Sequence, residues 1–464
     1  MANNKTVYPY IPNSEPNIKT QMLNEINANS VNELYSDIPA QLRFKGQMNL
    51  PVPFVSEYSL RRHIEKILGK NKSTKQFLNF LGAGCYQHYV PAVCDEINSR
   101  GEFLTAYAGE PYDDHGRFQS LFEYTSMMAE LLEMDVVSVP TYDGFQAAAT
   151  ALRMACRITN RNKVLLPETI GRDLLSKISD YLKNDIEIIT LKHNALTGGI
   201  DLNHLEDLIS KDIAAVFFEN PSHLGFFEIN GEKIADIAHQ NGAICIVSVD
   251  PISLGVITPP SRYGADIVVG DIQPLGMHML FGGGQAGFIA SRDEEKYVMQ
   301  YPSRLFGIVP TRVKGEYGFG DVAYDRTSFA RREEGNEWVG TAAALWGITA
   351  GVYLALMGPQ GMKEIGEGIL YRSQYAKQEM NKLANVSAGV FQAPQFKEFV
   401  VKFDKTGKTV AEINHSLLEK RIFGGKDLSR EFPWLGESAL YCFTEVHTKE
   451  DIDLLVSALR EVLA

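Results

Sequence analysis

Between residues 116 and 134 the apolar positions Phe118, Leu121, Phe122, Met128, Leu131 and Leu132 recur at helical spacing, with Glu123, Glu130 and Glu133 distributed among them. The pattern predicts an amphipathic helix. Downstream the periodicity changes. Short apolar runs at 163–166, 186–191, 213–218, 243–249, 265–269 and 287–290 are dense in Val and Ile and are separated by helix-like stretches such as 234–240. Runs of that length and content, alternating with helices, predict β-α-β units and a mostly parallel sheet. The expected fold class is α/β.

The run 339–357, rich in Ala, Gly and Leu, predicts a helix buried on nearly every side and stopped by the pair Gly358-Pro359. Beyond it, 398–403 and 439–444 read as strands, while 410–420 and 451–463 read as amphipathic helices; Thr448 and Asp451 have the spacing of a capping box. That mixture predicts a small α/β sandwich. Residues before about 76 mix turn residues with short helical patterns at 19–27 and 56–68, and read as an arm that either wraps a neighbouring subunit or forms a tail. The expected organisation is an N-terminal arm with helices (1–76), a large domain (77–335) and a small C-terminal α/β domain (336–464).

Composition narrows the function classes. A chain of 464 residues, 45% hydrophobic and 22% charged, can bury one large core and a second, smaller one. Its net charge of −12 is scattered and opposes attraction to phosphate backbones or anionic lipid, so neither nucleic acid nor a membrane is an expected partner. Residues 1–10 are polar, and no stretch reaches membrane-spanning length, which points to a cytoplasmic protein. Cys85, Cys94, Cys156, Cys245 and Cys442 stand apart with no CxxC pair, so they read as reduced core thiols rather than disulfides or zinc ligands. Cys85, among the glycines of 81–86, is the one placed for an accessible thiol.

Three segments could carry chemistry. In Tyr142-Asp143-Gly144-Phe145-Gln146-Ala147-Ala148-Ala149 a turn opens an alanine-rich helix, whose free amides and small residues suit either a phosphate or close helix packing. The apolar run 243–249 ends in Asp250, at the strand edge where α/β proteins place ligands; such a carboxylate can pair with a heteroaromatic N–H+ or cap the loop that begins at Pro251. The third segment, 264–276, runs from a strand into a loop and is followed by the glycine cluster 281–287.

This order of parts resembles fold-type I pyridoxal-phosphate (PLP) enzymes. More narrowly the chain resembles the glycine dehydrogenase (decarboxylating) family, subunit 1, the alpha chain of split P-proteins. The resemblance spans nearly the whole length and rests on Tyr10-Ile11-Pro12, Leu34-Tyr35-Ser36-Asp37-Ile38-Pro39, Phe80-Leu81-Gly82-Ala83-Gly84, Tyr142-Asp143-Gly144, Gly270-Asp271-Ile272-Gln273-Pro274-Leu275-Gly276, Tyr353-Leu354-Ala355-Leu356-Met357-Gly358-Pro359 and Phe423-Gly424-Gly425-Lys426-Asp427-Leu428. By the comparison, the lysine that holds PLP as a Schiff base would fall near Pro274, about two dozen residues beyond Asp250, and no lysine lies between Lys233 and Lys296. Proline has no amine, so no covalent cofactor is expected on this chain.

The resemblance implies a lysine-lacking subunit of a glycine decarboxylase complex, inactive by itself. A beta-type partner chain, in an α2β2 heterotetramer, would carry PLP, and the aminomethyl group would pass to the lipoylated H-protein. Asp143, Gly144 and Asp250 would be vestigial cofactor contacts, and Tyr107 and His115 the candidates for lining the partner's site. Two departures from the family pattern, at 108–116 and 331–338, leave open a paralogous complex acting on another amino acid or amine; the vacated lysine position leaves open a pseudoenzyme scaffold. Asp113, Asp114 and His115 read either as a metal or acid–base cluster or as a polar loop before the helix.

Overall fold

Six of the apolar runs become strands of one sheet because both of its faces are covered. In the computed structural model, which describes residues 7–103, 115–340 and 343–464, the strands are β1 (Val136–Val137), β2 (Lys163–Pro167), β3 (Glu187–Leu191), β4 (Ile213–Glu219), β5 (Ile244–Val249), β6 (Ile267–Asp271) and β7 (Gly287–Ser291). Their order is β1-β7-β6-β5-β4-β2-β3. The pairs from β6 through β5, β4 and β2 to β3 are parallel, whereas β7 runs antiparallel to both β6 and β1. Successive residues of one strand enter opposite cores: Val216 and Phe218 pack on one face, Ala215 and Phe217 on the other. The runs therefore read as continuously apolar instead of alternating.

The predicted helix at 116–134 is α1 (His115–Leu132), and the turn at Tyr142–Asp143 opens the alanine-rich α2 (Gly144–Thr159), all five of whose alanines are buried in the core. The expectation for 339–357 needs correction. Helix α3 (Ala344–Met380) breaks at Gly358, where φ is 58° and ψ is −177°, and restarts at once. Pro359 sits in the first turn of the new segment, where a missing N–H costs nothing, so the Gly-Pro pair redirects the helix instead of ending it. The first segment is buried on nearly every side, as expected: the five consecutive residues from Gly347 to Gly351 are buried, and exposure begins only at Ala355 and Leu356, next to the break.

The second half of α3 brings Ala376 and Met380 beneath a four-stranded antiparallel sheet. Its strands are β8 (Ser387–Ala388), β9 (Glu398–Lys402), β10 (Lys426–Asp427) and β11 (Ser438–Cys442), in the order β8-β9-β11-β10, with Glu398 opposite Cys442. Helices α4 (Val410–Glu419) and α5 (Lys449–Leu463) complete this layer, and the Thr448–Asp451 capping box forms as expected, with a second box at Thr409–Glu412.

By its contacts the chain divides into two units, Met1–Asn71 and Lys72–Ala464. The first contains the helices Pro16–Glu25 and Glu57–Leu68, neither of which has a buried residue. Among the described residues no helix is long and apolar enough to cross a membrane.

Candidate functional site

The carboxyl ends of β4, β5 and β6 and the residues just before β9 enclose a cavity of about 120 Å³. Gly144, Asp250 and Pro274 line it, whereas Asp143 lies just outside its wall. Asp250 ends β5; its Oδ1 accepts the Ile252 N–H at 3.0 Å, as a loop cap should. Pro274 is buried in the cavity wall and brings no amine there. Asp143 caps α2 by accepting the Gln146 N–H at 2.7 Å, and Gly144 opens that helix.

What the sequence did not disclose is that these contact points are already taken. The Oδ2 atom of Asp250 forms an ion pair with Lys397, whose side chain is only 2% exposed. The Lys397 ammonium lies 3.5 Å from the centre of the Tyr86 ring and 3.2 Å from His88 Nε2. With Nε2 receiving that donor, His88 is assigned the tautomer protonated at Nδ1, which bonds Glu445 Oε2 at 2.8 Å. Burial opposes the charge on Glu445, but His88 and the Tyr89 N–H, 2.7 Å from Oε1, outweigh it and hold the carboxyl down at about 2.

At the other end, the Gly144 N–H donates to Asp271 Oδ2 at 2.9 Å, and Asp271 Oδ1 accepts from Gln273 N at 2.9 Å and Ala286 N at 3.3 Å. A helix N-terminus that could hold an anion thus holds the chain's own carboxylates. Burial pushes Asp271 up to about 7 despite these bonds, and does the same to Glu398, at about 7, and to Glu219, at about 8.

PLP does not fit this set of residues. Its ring nitrogen would need Asp250, which Lys397 occupies; its phosphate would meet Asp271 in place of a free amide; and Pro274 offers no Schiff base. The cavity is smaller than the roughly 150 Å³ that suffices for benzene. Cys85 is half-buried, and burial together with Asp271 pushes its thiol up to about 11, so it is a poor nucleophile; the other four cysteines are free, reduced and buried.

Tyr107, Asp113 and Asp114 lie outside the described residues, and His115 is the first residue of α1. The residues that sequence reasoning missed are Lys397, Tyr86, His88, Gln273 and Glu398. For Lys397 the available signal was the charged pair Lys397-Glu398 leading directly into the apolar run Phe399-Val400-Val401.

Comparison with known proteins agrees with the fold and with the resemblance. The glycine cleavage system P-protein family model matches residues 9–459. A probable glycine dehydrogenase (decarboxylating) subunit 1 from Staphylothermus marinus is 40% identical, covering 98% of each chain. The chain belongs to the glycine cleavage system P-protein family. A solved glycine decarboxylase (P-protein) of the glycine cleavage system, in inhibitor-bound form, superposes on this P-protein chain with a TM-score of 0.84 at 30% identity, covering 98% of this chain and all of the other. A sphingosine-1-phosphate lyase from Burkholderia pseudomallei, 12% identical with a TM-score of 0.64 over 92% of this chain and 94% of its own, shares the fold alone. The fold is that of the fold-type I PLP-dependent enzymes.

The raised carboxyls of this P-protein chain give it a defined pH response. Between about pH 4, the ordinary carboxyl range, and about pH 8, folded Glu219, Asp271 and Glu398 hold protons that the unfolded chain has lost. Stability therefore falls as pH rises through that interval. Glu445 acts in the opposite sense: its contribution is present above the unfolded value near 4 and is lost as pH falls towards about 2. The melting temperature should peak near pH 5 and decline towards pH 8, and Glu219→Gln should flatten the upper part of the decline. A scanning-fluorimetry series in which the melting temperature rises from pH 5 to 8 contradicts this.

Proposed function

We propose that this chain is the non-catalytic alpha-type subunit of a glycine decarboxylase complex, and that turnover takes place on a beta-type partner in an α2β2 assembly in the cytoplasm. The partner would carry PLP, which supplies the electron sink for decarboxylation, and lipoylated H-protein would receive the aminomethyl group. The observation that carries the reading is Pro274, a residue without an amine at the position where a PLP enzyme of this fold needs a lysine. Family membership supports glycine as the substrate, and the occupied contact points around Asp250 and Gly144 support a site given over to structure. The role left to this chain is to complete the partner's site or its docking surface, with Tyr107 and His115 as the candidate residues. The organisation 1–76, 77–335 and 336–464 is proposed with it.

Co-expression with a beta-type P-protein chain should yield a stable complex that exchanges the glycine carboxyl with carbon dioxide. The lone chain should show no exchange and no borohydride-reducible pyridoxyl adduct. Unaided exchange by the purified chain, or a beta-type chain equally active without it, rejects the reading. Activity of the complex on a different amino acid, with none on glycine, transfers the role to a paralogous enzyme.

A further inference from the structure

A buried lysine is expensive to hide unless its charge is matched and its hydrogens have neighbours. Lys397 meets both conditions inside the cavity: Asp250 supplies the charge, His88 Nε2 an acceptor, and the Tyr86 ring a π face. The pairing joins distant parts of the chain. Asp250 ends a strand of the seven-stranded sheet, while Lys397 immediately precedes β9 of the four-stranded sheet and its carbonyl accepts the Phe443 N–H at 2.7 Å.

The neighbouring backbone is shaped for this approach. A Cβ on Gly225 would lie 2.0 Å from the Glu398 carbonyl oxygen, and one on Gly82 would lie 2.3 Å from Glu398 Oε1. Only glycine at these positions lets the start of β9 settle so close to the sheet edge. Glu398 then uses its two oxygens on Ala83 N, at 2.6 Å, and Tyr86 Oη, at 2.9 Å, which holds the Tyr86 ring against Lys397.

We infer that Lys397 is an internal occupant of the cofactor site: its ammonium stands on Asp250 where a ring N–H+ would stand, and it ties β9 to the carboxyl edge of the large sheet. Lys397 is a positioning residue in this scheme. It gives the chain, without any small molecule, the fastening between its two sheets that a cofactor-bearing relative could draw from its ligand. The inference concerns this chain's own site and stands whether or not the partner role proposed above holds.

The test uses the full-length chain. Lys397→Ala should lower the melting temperature by several degrees. Added n-propylamine, which matches the deleted Cγ-to-Nζ fragment and is protonated at neutral pH, should restore it in a saturable manner, while n-propanol, of similar shape without the charge, should not. In parallel, Lys397→Met should be markedly less stable than the double variant Asp250→Asn/Lys397→Met, because the double variant leaves no charge stranded. If Lys397→Ala does not fold, the Met pair decides. Finally, 4-deoxypyridoxine 5′-phosphate, which has no aldehyde and reports only non-covalent binding, should show no saturable binding to the wild-type chain by calorimetry. Three results each overturn the inference: a Lys397→Met melting temperature equal to wild type, a double variant no more stable than the single one, or saturable binding of the phosphate probe to the wild-type chain.

Discussion

Gly225→Ala should destabilise the chain by on the order of 4 kcal/mol, seen as a large drop in the denaturation midpoint. Two costs add. Gly225 has φ of +87°, a left-handed conformation that costs an L-residue about 1–2 kcal/mol. Its new methyl group would also lie 2.0 Å from the Glu398 carbonyl oxygen, a backbone atom that no rotamer change can remove, and overpacking of this kind costs about 1–3 kcal/mol. The backbone cannot yield easily, because Gly225 O accepts the Phe396 N–H at 3.1 Å and Phe227 N donates to Pro394 O at 2.8 Å. The strain would fall on the segment that carries Lys397 and Glu398 to the cavity. A midpoint within experimental error of wild type would show that β9 is not seated as described.

Gln273→Leu should cost about 3 kcal/mol, although leucine matches the side chain in size. Gln273 is fully buried, and its amide works as a bridge: Nε2 donates to Tyr86 O at 2.9 Å and Met277 O at 3.0 Å, while Oε1 accepts Tyr86 N–H at 3.0 Å. Leucine would strand those backbone groups, and each buried group left without a partner costs about 1–3 kcal/mol. The Tyr86 segment would come loose from the loop that carries Pro274, so amide hydrogen exchange should accelerate around Tyr86 before it does in the seven-stranded sheet. Gln273→Glu is the sharper control, since a carboxylate can accept from Tyr86 N–H but cannot donate to the two carbonyls. It should be as destabilising as the leucine variant. Stability retained in both variants would refute the bridge.

The legible part of the fold is the part that short-range patterning controls. The strand runs emerged because each is long enough, β-branched enough and bounded by turns; the helices at 116–134, 410–420 and 451–463 emerged because one face is apolar. The capping box at Thr448 was readable because its two partners are three residues apart. Asp250 and Gly144 were located at the sheet edge and the helix start for the same reason, since each closes or opens a local element. At Gly358 local rules predict an end because they say only where a helix is interrupted, and the burial of Ala376 and Met380 decides that it resumes.

The sequence by itself determined the α/β class, the order of the strands along the chain, the family, and the absence of an amine at Pro274, all of which depend on residue identity and near neighbours. Only the tertiary structure decided what fills the site. Lys397 meets Asp250, and Asp271 turns back onto Gly144, through contacts between residues far apart in the chain, and no periodicity or spacing encodes those pairings. Charge compensation in a buried cavity acts through space, so a lysine that looks like an ordinary strand-edge residue in the sequence becomes, once the chain is folded, the cation at the centre of the site.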